Sequence, residues 1–256
     1  MEYLVSAGEL GESSVSSRLS WPLAIRRALR TAREALDCTR EIRRIPLGSD
    51  SRQRAALLSE SSARLSRSIG LDLAVHGPIP RGPAVIAANH LSYLDPIAIG
   101  QTLPVGAVAK SEIMRWPGVG QAAEDLGIVF VRRGCVRSGA TALRKAMRLL
   151  DAGVSILVFP EGTTSVGRDV LPFSRGAFGV ARLMRVPVVP ATIRYHSPEV
   201  CWVGDDTLVP HAVKLHRLDP VSADLFFGPP LEPMAFSDAA ELAEAARQCI
   251  RSLLLP

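Results

Sequence analysis

In Ala84-Val85-Ile86-Ala87-Ala88-Asn89-His90-Leu91-Ser92-Tyr93-Leu94-Asp95-Pro96 an unbroken apolar run enters a polar loop and then a helix start. A short apolar run without polar residues at alternate positions fits a strand buried on both faces, as in a parallel sheet between two layers of helices. Asp95 followed by Pro96 predicts a helix with Asp at the N-cap and Pro at the first helical position. His90 then falls at the carboxyl end of a strand, in the loop before a helix, where open α/β sheets place their sites. A carboxylate five residues on can accept a hydrogen bond from one imidazole nitrogen and leave the other as a base for a hydroxyl group.

Outward from this stretch, short apolar runs recur at 71–75, 105–109, 128–131, 155–159, 186–193 and 223–227, with helical patterns at 96–102, 118–126, 137–151 and 175–184 between most of them. A last helix is opened by Ser237 and runs to 254. The alternation predicts an α/β fold, a largely parallel sheet covered by helices, over 71–256. Residues 18–70 read as an antiparallel helical pair, the second helix spanning 51–69 and closed by Gly70. The Ser-, Gly- and Glu-rich residues 1–17 read as a disordered tail.

The first helix of the pair is amphipathic. Trp21, Ile25, Ala28, Leu29, Ala32 and Leu36 fall on one stripe, and Arg26, Arg27, Arg30 and Arg33 point elsewhere. Such a stripe serves either packing on the protein's own body or the interface of a bilayer. Eight arginines between Arg18 and Arg44 face only three acids, whereas residues 199–251 hold nine acids and four bases. This polarity suits an anionic partner on one side of the molecule.

Composition removes several function classes. The 256 residues are 47% hydrophobic and 21% charged, which describes a folded chain with ample core. At 5% aromatic the supply of base-stacking platforms is thin, so no nucleic-acid partner is expected. Cys38, Cys135, Cys201 and Cys249 form no C-x-x-C pair, and the histidines show no H-E-x-x-H spacing, so no metal is expected. Gly118-Val119-Gly120-Gln121-Ala122-Ala123 matches a dinucleotide fingerprint but follows Arg115-Trp116-Pro117 rather than a strand. There is no P-loop and no G-x-S-x-G nucleophile elbow. Met1-Glu2-Tyr3-Leu4 does not open a secretory signal, and no apolar run approaches the roughly 18 residues of a spanning helix, so a soluble or surface-bound chain is expected.

Two further strand ends carry chemistry. Gly127-Ile128-Val129-Phe130-Val131 ends in Arg132-Arg133, paired guanidiniums suited to phosphate. The run at 155–159 ends in Phe159-Pro160-Glu161-Gly162-Thr163-Thr164-Ser165, a polar turn at the same edge of the predicted sheet. Arg175-Gly176 opens the next helix and is an anion-site candidate.

Asn89-His90 with Asp95, Gly127-x-x-Phe130 ending in Arg133, Phe159-Pro160-Glu161-Gly162-Thr163 and Val186-Pro187-Val188-Val189-Pro190 resemble the four ordered motifs of the glycerolipid acyltransferase family, which includes the 1-acylglycerol-3-phosphate acyltransferases. The resemblance covers about 71–193, and Phe227-Gly228-Pro229-Pro230-Leu231 is similar to the bacterial C-terminal part. It implies His90 as general base and Asp95 as its orienting partner. Arg133 and the Glu161-Gly162 turn become acceptor-binding elements, beside a channel for the acyl chain; Arg132, Thr163, Thr164 and Arg175 are assigned to the same substrate site. Two departures stand out. Arg132-Arg133 replaces Asp-Arg, and Thr164 replaces an Arg that many members carry, so Arg132 is a candidate substitute for that guanidinium.

The function implied is transfer of a fatty acyl group from acyl-CoA or acyl carrier protein, as co-substrate, to the hydroxyl of a lysolipid, with no cofactor. The leading acceptor is 1-acylglycerol-3-phosphate, giving phosphatidate; the alternatives are another lysolipid such as lyso-ornithine lipid, an acyl-thioester hydrolase, or a catalytically silent membrane-binding module. A peripheral position on the cytoplasmic face of the membrane goes with it.

Overall fold

The computed structural model describes residues 17–45, 50–110, 128–131, 136–204 and 207–254. In chain order these form β1 (Ser17–Arg18), α1 (Trp21–Arg43), α2 (Ser51–Ile69), β2 (Leu71–His76), β3 (Val85–Ala88), α3 (Asp95–Gly100), β4 (Val105–Lys110) and β5 (Val129–Val131). Then follow α4 (Val136–Asp151), β6 (Ser155–Val158), α5 (Gly176–Met184), β7 (Val188–Tyr195), α6 (Leu208–Leu215), β8 (Leu218–Asp219), β9 (Val221–Phe227) and α7 (Ala239–Leu254). The expected helix over 118–126 lies outside the described residues, as do Cys135 and most of the tail. Ser17, assigned above to the tail, already pairs with Asp219 in a short antiparallel ladder.

Among the described residues the main sheet has seven strands in the order β2-β9-β7-β3-β6-β4-β5. All neighbours run parallel except β7 and β9, so β9 and β2 point opposite to the other five. The carboxyl ends of β3, β6 and β7 therefore share one edge. Burial accounts for the unbroken apolar composition of β3. Ile86 and Ala88 face a core built with Ile69, Leu94, Ala98 and Ile99, whereas Val85 and Ala87 face one built with Leu150, Phe178, Leu242 and Ala246. All four β3 residues are fully shielded, which removes any polar alternation.

The helical pair has the expected antiparallel arrangement. Arg64 of α2 bonds Glu34 and Glu41 of α1 at 2.5 Å each, and Arg30, earlier in α1 than either, reaches the Ser68 carbonyl, later in α2 than Arg64. Asp50 caps α2, and Gly70 closes it at φ +80°, a conformation that costs glycine nothing. The two faces of α1 divide differently from the simplest expectation. Ala24, Cys38 and Ile42 pack inward, while Trp21, Ile25, Leu29 and Leu36 are more than half exposed. Nor are the four arginines equivalent. Arg27 bonds the Leu218 carbonyl and pairs with Asp219, and Arg30 is tied to α2, so both serve cohesion of the fold. Arg26 and Arg33 face solvent.

The short helix α6 has no counterpart in the sequence expectation. Its eight residues carry Pro210 in the first turn, which reads as loop punctuation although proline is tolerated there. No helix among the described residues is long and apolar enough to cross a membrane.

Candidate active site

The loop after β3 is held on both sides before His90 is placed. The Asn89 side chain is buried, and its amide both donates to the Ile193 carbonyl at 2.9 Å and accepts from the Ile193 N–H at 2.8 Å. This clasp welds the end of β3 to β7. The His90 N–H donates to Glu161 Oε1 at 2.8 Å, and its carbonyl accepts from the Ser165 N–H at 2.9 Å, which ties the loop to the turn after β6.

His90 Nδ1 lies 2.8 Å from Asp95 Oδ2. The same oxygen accepts the backbone N–H groups of Leu91 at 2.6 Å and Ser92 at 2.9 Å, and Oδ1 accepts the Tyr195 hydroxyl at 2.9 Å. A fully buried carboxylate surrounded by donors is an acceptor, so Nδ1 is the nitrogen that donates to it and Nε2 is the one that faces away. The imidazole also stacks on the Phe159 ring, centroids 4.2 Å apart, which fixes its plane. Its side chain is 17% exposed, and Nε2 has no partner among the described residues. The arrangement is an oriented imidazole with one open nitrogen.

Asp95 does not cap its helix as the sequence suggested. It is the first helical residue of α3, behind Leu94 at the N-cap, and Pro96 follows at the second position. The reason is local: its carboxylate turns back to the Leu91 and Ser92 amides of the preceding loop and to the imidazole, leaving nothing for the amides of α3.

Glu161 is close to the dyad but already occupied. Oε1 takes the His90 amide and Oε2 the Leu171 amide at 3.0 Å. Burial pushes its carboxyl above the usual range, against the lowering effect of those two hydrogen bonds. On this geometry the side chain positions the His90 loop. Gly162, at φ +70°, returns its N–H to the Phe159 carbonyl. Thr163 is exposed and Thr164 half-buried on the same turn, and neither backbone N–H has an acceptor among the described residues. Arg175 is exposed at the start of α5, its charge near Asp238 at the opening of α7, and no hydrogen bond or ion pair joins it to the dyad. Arg132 and Arg133 lie outside the described residues; β5, which precedes them, is separated from β3 by β6 and β4. Sequence reasoning missed Tyr195, whose only signal was a tyrosine just past the apolar run 186–193, a residue that needs a hydrogen-bond partner when buried.

A metal would need a cluster of ligands, and among the described residues no group of three or more His, Cys, Asp or Glu side chains could hold one.

The acyltransferase family model matches residues 72–194, which contain the dyad, the Glu161 turn and β7 up to Arg194. The chain is 34% identical over 197 residues to the lyso-ornithine lipid O-acyltransferase of Pseudomonas aeruginosa, covering 75% of this chain and 76% of that one. The chain belongs to the acyltransferase family. It is also 30% identical over 212 residues to the 1-acyl-sn-glycerol-3-phosphate acyltransferase of Neisseria meningitidis serogroup B, covering 79% and 83% of the two chains. The crystal structure of the 1-acyl-sn-glycerophosphate acyltransferase PlsC from Thermotoga maritima shares the fold, with a TM-score of 0.67, 23% identity and coverage of 91% and 94%. In this acyltransferase the paired N-terminal helices and the largely parallel sheet are thus features of the fold.

Proposed function

We propose that this acyltransferase moves a fatty acyl group from an acyl thioester to the free hydroxyl of a lysolipid, with His90 as the base. The observation that carries the reading is the His90 ring, held by Asp95 and Phe159 with Nε2 open. A thioester is already activated, so the reaction needs a base, an oxyanion site and two substrates held together, and no covalent enzyme intermediate. Nε2 takes the acceptor proton as that oxygen attacks the thioester carbonyl carbon. The carbon–sulfur bond then breaks, and the departing thiolate takes the proton back from the imidazolium. Asp95 stabilises the imidazolium between these steps. The unpaired N–H groups of Thr163 and Thr164 are our candidates for the oxyanion, since the Gly162 N–H is used within its own turn.

Two acceptors are supported by separate observations. Arg132-Arg133 and the Neisseria relative favour 1-acylglycerol-3-phosphate. Thr164, uncharged where many members carry arginine, and three relatives at 31–34% identity favour lyso-ornithine lipid, whose headgroup has no phosphate. With acyl-CoA or acyl carrier protein as donor, the two lysolipids are supplied together and the acylated products identified by mass. The reading expects one of them to be acylated in preference, with no product from His90→Ala. Free fatty acid as the sole product would replace this reading by thioester hydrolysis.

We place the enzyme peripherally, on the cytoplasmic face of the membrane. The exposed stripe of Trp21, Ile25, Leu29 and Leu36, flanked by Arg26 and Arg33, supports attachment by burial of apolar surface together with attraction to anionic lipid. Changing Ile25, Leu29 and Leu36 to serine is expected to weaken binding to anionic vesicles by roughly tenfold or more without lowering the unfolding temperature. Arg27→Gln should do the reverse, lowering stability and sparing vesicle binding. Unchanged vesicle binding by the triple variant would remove α1 from the membrane contact.

A further inference from the structure

The dyad uses one oxygen of Asp95, Oδ2. The other, Oδ1, receives the Tyr195 hydroxyl at 2.9 Å and no other partner among the described residues. Asp95 is wholly buried and Tyr195 is only 9% exposed, so water is no ready substitute for that hydrogen bond. A carboxylate oxygen left bare at such depth is costly, and its group is free to turn.

We propose that Tyr195 is a positioning residue for acyl transfer: its hydroxyl locks the Asp95 carboxylate through Oδ1, and thereby the His90 ring through Oδ2. The inference rests on the reading of His90 as the base. The geometry supplies a continuous line of support from strand to imidazole. Asn89 clamps both backbone groups of Ile193, and Tyr195 lies two residues further along β7, on the same face. Ala88 is paired with Ala191, so β3 and β7 present His90 and Tyr195 to Asp95 from adjacent strand ends. The Asn89 clasp joins the two strand segments that carry these residues.

The phenol is suited to a fixed donor. Burial and then the Asp95 charge push its pKa well above the usual tyrosine value, so it keeps its proton through the working range. The other titratable groups near it are Tyr93 and Cys201, both pushed up by burial and so neutral. Around Asp95 there are His90 and Glu161 besides these. When His90 takes the acceptor proton, its positive charge forms against Asp95 Oδ2, and a carboxylate anchored at Oδ1 meets that charge without reorganising.

Tyr195→Phe keeps the ring in the core and deletes only the donor. We expect kcat to fall roughly tenfold while both substrate KM values hold, because Tyr195 touches no substrate. The acid limb of the rate profile should move to higher pH, since a carboxylate with one donor fewer, or the ring it holds, retains a proton more readily. In the Asp95→Asn background the same change should add less than about twofold, because the hydroxyl acts through that carboxylate. A Tyr195→Phe enzyme with reduced unfolding temperature but wild-type kcat and an unmoved pH profile would overturn the proposal and leave Tyr195 a core residue. So would a full tenfold loss added to Asp95→Asn. His90→Ala, assayed alongside, separates the two levels: if it stays active the base assignment fails, and if it is dead while Tyr195→Phe is normal only the positioning role fails.

Discussion

His90→Ala should retain the fold and lose about 10²- to 10⁴-fold in kcat, the usual contribution of a positioned base. The ring is stacked on Phe159 and partly open to solvent, so its removal leaves a recess at the surface and no internal cavity. The loop itself is secured through backbone groups, the His90 N–H to Glu161 and its carbonyl to Ser165, which alanine preserves. Acceptor and donor KM should change little, because the imidazole acts on the hydroxyl chiefly as the proton moves. Steady-state rates beside thermal unfolding curves make the check. A variant that keeps half the wild-type rate would exclude His90 as the base.

Asp95→Asn is expected to lose activity on the scale of about 10²-fold or more, and unlike His90→Ala it should also destabilise the protein. The wild-type carboxylate accepts from the His90 ring, the Leu91 and Ser92 amides and the Tyr195 hydroxyl. An amide offers one acceptor oxygen and two N–H donors, so at least one of these four donors loses its acceptor, even if the Tyr195 hydroxyl turns to accept from the amide. Each buried polar group left unpaired costs about 1–3 kcal/mol. If the amide N–H meets Nδ1, the ring adopts the opposite tautomer and Nε2 carries a hydrogen, which disables the base. Retained stability together with retained activity would contradict the described hydrogen bonding.

The legibility of this chain followed from how much of it is local. The runs around 86, 156 and 191 are buried on both faces, and the pattern of continuous apolar residues that results is visible without any structure. The end of α2 at Gly70 was equally plain, since a left-handed closing residue selects glycine. His90 and Asp95 were legible because a loop of five residues brings them together. What depended on long-range geometry was not. Tyr195 reaches Asp95 across a hundred positions of sequence, and no local pattern marks it. The N-cap role given to Asp95 was a sound local inference overturned by stronger demands from the loop before it. Glu161 was read from the sequence as an acceptor-binding residue, and only the structure assigns its two oxygens to the His90 and Leu171 amides. In α1 the stripe was evident from its spacing, but that it faces outward, and that Arg27 and Arg30 belong to the fold, depends on contacts with β8 and α2.

In the proposed reaction Nε2 of His90 deprotonates a lysolipid hydroxyl for direct attack on a thioester. Thiol release and acylated lipid, followed together with wild type and His90→Ala, test it most directly. Wild type should release thiol only when a lysolipid is present, one thiol for each acylated lipid, with both signals lost in His90→Ala. Thiol release by wild type at the same rate without any lysolipid, matched by free fatty acid, would contradict it.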